Sequence, residues 1–347
     1  SEMSKKFDVV IGNPPYQEEA QGDGTRDTPV YHLFMDAAYK VGRKAVLITP
    51  ARFLFNAGFT PKAWNEKMLA DPHLSVPIYE PSSDRLFPGT DIKAGIAVTY
   101  RDETALVEPI GTFTKHAVLN DILHKVGQKH ERSIGPEITS SRSYRYTPAL
   151  YEANPDLRSL RPRGNEALIS TNTFTQFASL FSATKPDDGM AYARVEGLAG
   201  PGRREDRWIR GDFVTGPASF ATFKVVVAKA NGSGVFGEAL SGPHVADPQV
   251  AVTQSFITIG SFESRPTAVA CLKYIKSKFA RSLLGVLKVT QDNPAATWKY
   301  VPTQDFTSAS EIDWSKSIAE IDLQLYAKYG LDDEEIVFIE ANVKPMS

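Results

Sequence analysis

The sequence has few of the features that mark several large classes of protein. Its 347 residues contain one cysteine, Cys271, which allows no internal disulfide and favours a reducing, cytoplasmic setting. No run of about 18 apolar residues is present, which argues against a membrane span. The six histidines lack zinc-site spacing and cysteine partners. No nucleophile elbow or Walker turn occurs, so the sequence indicates neither a serine hydrolase of that type nor a P-loop NTPase.

Charge is nearly balanced, with 39 basic and 41 acidic residues and a formal net charge of -2. This balance argues neither for nor against DNA, because binding depends on local patches rather than on the total. The chain is long enough for two domains and a sizeable core.

The most informative stretch is FDVVIGNPPYQ at 7–17. The apolar run at 7–11, followed by Gly12 and two prolines, is typical of a strand buried in an α/β sheet. Asn13 then lies at the carboxyl end of that strand, where open α/β sheets bind ligands. Pro14 and Pro15 fix φ and remove two backbone donors, which leaves a rigid row of acceptors beside Tyr16. The alternative is an Asn-Pro turn that only ends a strand.

Such a row of acceptors suits the activation of an adenine amine. This exocyclic amine is conjugated with its ring and is a poor nucleophile. If the Asn13 side-chain oxygen and the Pro14 carbonyl accept its hydrogen bonds, the nitrogen becomes more tetrahedral and its lone pair can face an electrophilic methyl group. Tyr16 would stack on a base that is flipped out of the duplex.

These residues resemble the catalytic motif of the gamma-class N6-adenine DNA methyltransferases of restriction-modification systems. That family transfers methyl from S-adenosylmethionine to adenine in double-stranded DNA. The stretches at 31–38, 45–50 and 86–98 resemble its later motifs in the expected order. The resemblance implies that Asn13 and Pro14 hold the target amine, and that Tyr16 and Phe87 sandwich the flipped base. It also makes Phe34 a neighbour of the cofactor, although a plain core position is the simpler interpretation of that residue.

In that family a glycine-rich cofactor motif precedes the catalytic motif, and none is present before residue 7. We therefore expect the carboxyl-terminal portion of a longer enzyme, whose cofactor-binding region lies upstream. The alternative is a gene product that begins at Met3 and needs a partner chain. The sequence NGSGVFG at 231–237 suggests a permuted methyltransferase, but no helix and no strand-ending acid follow it.

The order of strand and helix patterns predicts the fold class and the domains. Strands at 7–11, 43–50, 74–80 and 92–100 alternate with helices at 30–41 and 61–70, which indicates an α/β fold with part of a doubly wound methyltransferase sheet. The pattern breaks after 101, so we place the catalytic part of the methyltransferase domain at 1–111. An α+β target-recognition domain with a helical carboxyl-terminal region follows at 112–347, with helices expected at 318–329 and 334–343.

Basic residues cluster on a helix predicted at 267–289, and no acidic residue occurs from 264 to 291. Such a helix suits salt-dependent contact with a DNA backbone, although a solvated face explains the pattern equally well. Two following amide side chains suit adenine edges in the major groove, or serve only to end the helix. The candidate DNA contacts are Lys273, Lys276, Lys278, Arg281, Lys288, Gln291 and Asn293. The alternative function for the whole chain is a DNA-recognition module without catalytic activity.

Overall fold

The computed structural model describes residues 6–18, 28–56, 59–92, 94–200, 202–288 and 290–347. Its contacts divide the chain into two compact units, Ser1–Asn120 and Asp121–Ser347. This division falls inside the helix Ala117–Gly127, later in the chain than the boundary expected at 111.

The first unit is a mixed α/β structure. Its strands are β1 (Phe7–Gly12), β2 (Gln17–Glu18), β3 (Thr28–Pro29), β4 (Gly42–Pro50), β5 (Leu74–Glu80) and β6 (Ile96–Asp102), and its helices are α1 (Tyr31–Val41), α2 (Lys62–Leu69) and α3 (Ser83–Leu86). Within the described residues the main sheet has the order β1-β4-β6-β5. β1 and β4 are parallel and are connected through α1, whereas β6 is antiparallel to both of its neighbours. The sheet therefore contains one parallel crossover unit.

One face of this sheet carries the core of the first unit. Met35 of α1, Leu47 of β4 and Trp64 of α2 belong to the same buried cluster, which the turn of 3-10 helix Ala51–Phe55 completes. The Trp64 ring meets the Phe53 ring edge-on, with 5.4 Å between centroids. Because side chains alternate along a strand, only every second residue of β1 reaches this core.

The strand predicted at 7–11 is confirmed as β1, but the prediction that it is buried is wrong. Phe7, Val9 and Ile11 are 56%, 47% and 77% exposed, and Val10 is the β1 residue that packs against the core. The physical reason is position, because β1 lies at an edge of the described sheet and pairs only with β4.

The helix predicted at 30–41 is confirmed as α1, which spans Tyr31–Val41. Tyr31, Met35 and Ala38 face the sheet at helical spacing. Leu33 and Phe34 are 58% and 47% exposed, so the core interpretation of Phe34 is wrong.

The second unit combines small sheets with a carboxyl-terminal group of helices. Its strands are β7 (Ile138–Thr139), β8 (Arg145–Tyr146), β9 (Tyr192–Gly200), β10 (Arg203–Arg210), β11 (Val214–Thr215), β12 (Phe223–Ala228), β13 (His244–Ala246), β14 (Val250–Val252) and β15 (Phe256–Phe262). Among described residues, β10-β9-β14 and β13-β12-β15-β7 form the larger sheets and β11-β8 a small one. Val195 of β9 and Val226 of β12 lie in one buried cluster, so the two larger sheets share a core.

The second unit also contains helices, and the first of them, α4, begins a few residues before the unit does. They are α4 (Ala117–Gly127), α5 (Pro148–Ala153), α6 (Thr173–Gln176), α7 (Arg265–Lys276), α8 (Lys278–Leu284), α9 (Ile318–Tyr329) and α10 (Asp333–Asn342). The single helix predicted at 267–289 is wrong, because Ser277 ends α7 and its hydroxyl accepts the Ala280 amide to cap α8. α9 has the predicted bounds, and a capping box begins both α9 and α10.

Candidate functional site

The Asn13-to-Tyr16 turn follows the last residue of β1 and leads into β2. The Val30 amide donates to the Tyr16 carbonyl at 3.1 Å, and β2 pairs with β3 immediately before α1 begins. The turn is therefore held at the carboxyl end of β1 by the start of α1. Asn13 is exposed, and Pro14 and Tyr16 are half-buried.

The Tyr16 side chain contacts Asn13 within this turn. Burial raises the pKa of the Tyr16 hydroxyl, and the interaction with the Asn13 side chain opposes the rise. The phenol therefore stays neutral near pH 7, which suits a ring that packs against a ligand rather than one that exchanges a proton.

A pocket of about 280 Å³ lies beside the turn. It opens where the parallel strands β1 and β4 both end, the edge at which open α/β sheets bind ligands. The residues that line it include Tyr16, Pro50, Arg52, Phe59, Thr60 and Asp91.

Gly95 supports the wall of this pocket that follows β4. Its carbonyl accepts the Ala51 amide at 3.0 Å, which fixes the start of the turn that carries Arg52. Gly95 has φ of +76°, and an added Cβ would lie 2.3 Å from the Glu80 carbonyl oxygen. Only glycine fits this close approach.

The buried side chains of Tyr31 and Thr60 form another wall of the pocket. Burial raises the pKa of Tyr31 to about 12, and interactions with Thr60 and Arg52 oppose the rise. The Thr60 hydroxyl donates to Asn65 Oδ1 at 2.7 Å. Pro61 occupies the N-cap of α2, and no side chain caps this helix.

The structure brings together only some of the site residues that the sequence predicts. Asn13, Pro14 and Tyr16 are adjacent in one turn, but of these three only Tyr16 lines the pocket. Phe87 is half-buried and ends α3, and it is not among the lining residues; Phe34 lies on the exposed side of α1. Sequence reasoning did not single out Phe59, since a lone aromatic residue before a helix gives no periodic signal.

Most of the cations expected to contact DNA are bound to other parts of the second unit. Lys273 Nζ donates to the carbonyls of Trp314, Ser315 and Lys316 at 2.8, 3.2 and 2.7 Å. Lys278 Nζ lies 2.5 Å from the Glu340 carboxylate.

Arg281 and Lys288 are buried, with 2% and 6% exposure. The Arg281 guanidinium donates to the carbonyls of Lys276, Glu238 and Lys344 and, at 3.5 Å, to that of Gly237. Burial lowers the pKa of Arg281 to about 10, and Asp322 and Tyr326 oppose the change. Lys288 Nζ donates to the Asn231 carbonyl at 2.8 Å.

The exposed cationic helix face that the sequence predicts is therefore absent from the described residues. Arg281 and Lys288 cannot reach a phosphate without leaving the interior, because their donors satisfy buried carbonyls. Asn293 is 0% exposed and donates to the Ala228 carbonyl, so it cannot read a base edge in this conformation. Lys276 is half-buried and Gln291 is exposed, so these two remain accessible.

The glycine-rich loop at 231–237 holds a carboxylate of its own chain. Glu238 Oε1 accepts the Ser233 amide at 2.8 Å, and Oε2 accepts the Gly234 amide at 3.2 Å. Burial opposes ionisation of Glu238, but hydrogen bonds from Ser233 and the loop amides outweigh it and lower the pKa to about 2. The loop therefore does not offer free amides to a cofactor, which agrees with the rejection of the permuted arrangement.

In the described part of the chain, no group of three or more His, Cys, Asp or Glu side chains is placed to hold a metal ion. None of the described helices is long and apolar enough to cross a bilayer.

Comparison with known proteins links the first unit to one family. Residues 1–87 match the family model described as Eco57I restriction-modification methylase, which supports a methyltransferase-like role for that segment. No curated protein sequence matches the chain.

Structures of restriction-modification enzymes are among the solved structures that are similar to the chain. The type IIG restriction endonuclease BpuSI is 10% identical to this chain. The alignment covers 96% of this chain and 53% of BpuSI, with a TM-score of 0.34. The type IIL restriction-modification enzyme MmeI, solved in complex with DNA, is 9% identical, covering 96% and 56%, with a TM-score of 0.34. This chain thus spans about half the length of each.

Proposed function

We propose that the chain is the catalytic and target-recognition portion of a site-specific adenine-N6 DNA methyltransferase of the gamma class. The observation that carries this proposal is the Asn13-Pro14-Pro15-Tyr16 turn at the carboxyl end of β1, beside the pocket. The methylase family match includes this turn. The pocket volume of about 280 Å³ lies just below the range of drug-sized ligand sites, which suits a single flipped base.

The chemistry follows from the acceptors in the turn. The amine of the target adenine donates one hydrogen bond to Asn13 Oδ1 and one to the Pro14 carbonyl, and its nitrogen becomes more tetrahedral. No group needs deprotonation beforehand. The base displaces the contact between Asn13 and Tyr16 and stacks on the Tyr16 ring.

S-adenosylmethionine would supply the methyl group in this reaction. The glycine-rich loop does not fit the cofactor, because the Glu238 carboxylate already binds its amides. We therefore assign the cofactor to an upstream region of the same protein or to a partner chain. Phe34 is the residue of this chain that we place beside it, since its ring is exposed and its amide donates to Val30, the residue that bonds the Tyr16 carbonyl.

The open edge of the first sheet supports that assignment. A doubly wound sheet has helices on both faces, whereas the outer face of β1 leaves Phe7, Val9 and Ile11 exposed. Another strand beside β1, with helices over this face, would bury these three side chains. Such an addition would complete a doubly wound methyltransferase sheet.

The second unit is proposed to read the DNA sequence. Gln291 is the accessible member of the amide pair, and Lys276 is the accessible cation of α7. A DNA-recognition module without activity would use the same unit, but it would not need Asn13.

The test is Asn13→Ala in the complete enzyme, assayed by methyl transfer to double-stranded DNA. We expect methylation to be lost with DNA affinity retained, because Asn13 acts on the amine and not on the backbone. Asp8→Ala is the control, since Asp8 lies at the start of β1 with a side chain that is 93% exposed. An unchanged methylation rate in Asn13→Ala would overturn the proposal and favour the recognition module.

A further inference from the structure

Phe59 is a large apolar side chain that is 62% exposed and also lines the pocket beside Tyr16. A single exposed phenylalanine is ordinary on a protein surface. Phe59 is not an ordinary exposed residue, because it lines a pocket together with Tyr16. A flat ligand that enters this pocket would cover the rings of both Tyr16 and Phe59. Base–aromatic stacking depends on such rings and tolerates different bases.

We infer that Phe59, rather than Phe87, is the second aromatic wall of the base pocket. This inference rests on the proposed function, since it names the residue that packs on the base bound by Tyr16. Tyr16 comes from the turn after β1, and Phe59 comes from the segment between β4 and α2. The two rings therefore approach the pocket from different elements.

Two hydrogen bonds of one buried side chain join a residue that precedes Phe59 to one that follows it. Asn65 of α2 is 2% exposed; its Oδ1 accepts the Thr60 hydroxyl at 2.7 Å, and its Nδ2 donates to Asn56 Oδ1 at 3.1 Å. Asn56 has φ of 51°, a left-handed conformation that asparagine adopts more readily than most residues. One buried side chain thus fixes residues 56 and 60 together.

Phe87 is placed differently. Its amide donates to the Ser83 carbonyl at 2.8 Å, and its carbonyl accepts both the amide and the hydroxyl of Thr90, at 3.1 and 2.7 Å. These bonds hold its backbone in a tight turn, and its half-buried side chain does not line the pocket. In this structure, therefore, the Phe59 side chain lines the pocket and the Phe87 side chain does not.

The experiment titrates the full chain into 2-aminopurine deoxyriboside, a fluorescent analogue of adenine whose emission falls on stacking. We expect Phe59→Ala to weaken binding by roughly tenfold, the loss of one base–aromatic stack. Phe59→Tyr keeps a ring and is expected to bind within about twofold of the unaltered chain. Circular dichroism of each variant shows whether the fold is intact.

The outcomes separate this inference from the proposed function. Weaker binding in Tyr16→Ala and Phe59→Ala, with Phe87→Ala unchanged, supports it. Weaker binding in Tyr16→Ala and Phe87→Ala, with Phe59→Ala unchanged, overturns it and leaves the proposed function standing. If the unaltered chain does not quench the probe, or if Tyr16→Ala binds equally well, the base pocket itself is refuted together with the inference.

Discussion

Arg281→Met distinguishes a structural role for the buried cations from a role in DNA binding. Arg281 is 2% exposed and its guanidinium donates to four carbonyls, three of which, those of Gly237, Glu238 and Lys344, are distant in sequence. Methionine fills a similar volume but donates no hydrogen bond. The substitution therefore leaves four acceptors in the interior without their donor.

Two opposing effects set the size of the change. Hydrogen bonds from a charged donor contribute roughly 1.5 to 3 kcal/mol each, so the three shorter ones contribute about 5 to 9 kcal/mol. Burial lowers the pKa of Arg281 to about 10, and removing that buried charge returns roughly 3 kcal/mol. We expect the free energy of unfolding to fall by about 2 to 6 kcal/mol.

Thermal unfolding monitored by calorimetry measures this loss, and the expected fall in Tm is roughly 5 to 15 °C. Lys276→Met is the matched control, because the half-buried Lys276 side chain makes no hydrogen bond to the described residues. It should change stability by less than about 0.5 kcal/mol. The reasoning is refuted if Arg281→Met unfolds like the unaltered chain but binds double-stranded DNA more weakly. In that case the slope of the logarithm of DNA affinity against the logarithm of salt concentration should also be smaller by about one.

Three further substitutions test local features by thermal unfolding. Glu238→Gln should lower the free energy of unfolding by about 1 to 2 kcal/mol near pH 7. Because the pKa of Glu238 in the folded protein is lowered to about 2, this difference between the variant and the unaltered chain should disappear as pH falls from about 4.5 towards 2. Equal free energies of unfolding at every pH would contradict this expectation. Burial raises the pKa of Asp322 to about 6, so stability should fall as pH rises from about 4 to 6, and Asp322→Asn should remove this slope. Gly95→Ala should lower Tm more than Gly89→Ala, since both have positive φ but only Gly95 has the Glu80 carbonyl within contact distance of a Cβ.

Elements whose pattern depends on neighbouring residues were predicted well from the sequence. β5 and α9 have the expected bounds. Ser317 and Glu320 form a capping box that marks the first turn of α9. The turn after β1 was predicted for the same reason, because two prolines and a preceding apolar run determine its position.

Burial and pairing were predicted less well, because they depend on parts of the chain that are distant in sequence. The apolar residues of β1 indicate a buried strand, yet its edge position leaves three of them exposed. The hydrogen-bond partners of Lys273 and Arg281 are backbone carbonyls. Every residue carries a backbone carbonyl, so no sequence pattern indicates which of them will be a partner. Phe59 was missed for a similar reason, since its place at the pocket depends on contacts of Asn65.

The most direct test of the proposed chemistry is identification of the methylated nucleoside. The complete enzyme would be incubated with double-stranded DNA and S-adenosylmethionine that carries an isotopic label in its methyl group, and the digested DNA analysed by mass spectrometry. We predict that the label appears in N6-methyldeoxyadenosine and that Asn13→Ala abolishes it. Label in N4-methylcytosine or 5-methylcytosine, or adenine methylation that persists in Asn13→Ala, would contradict the assignment of this turn to the target adenine.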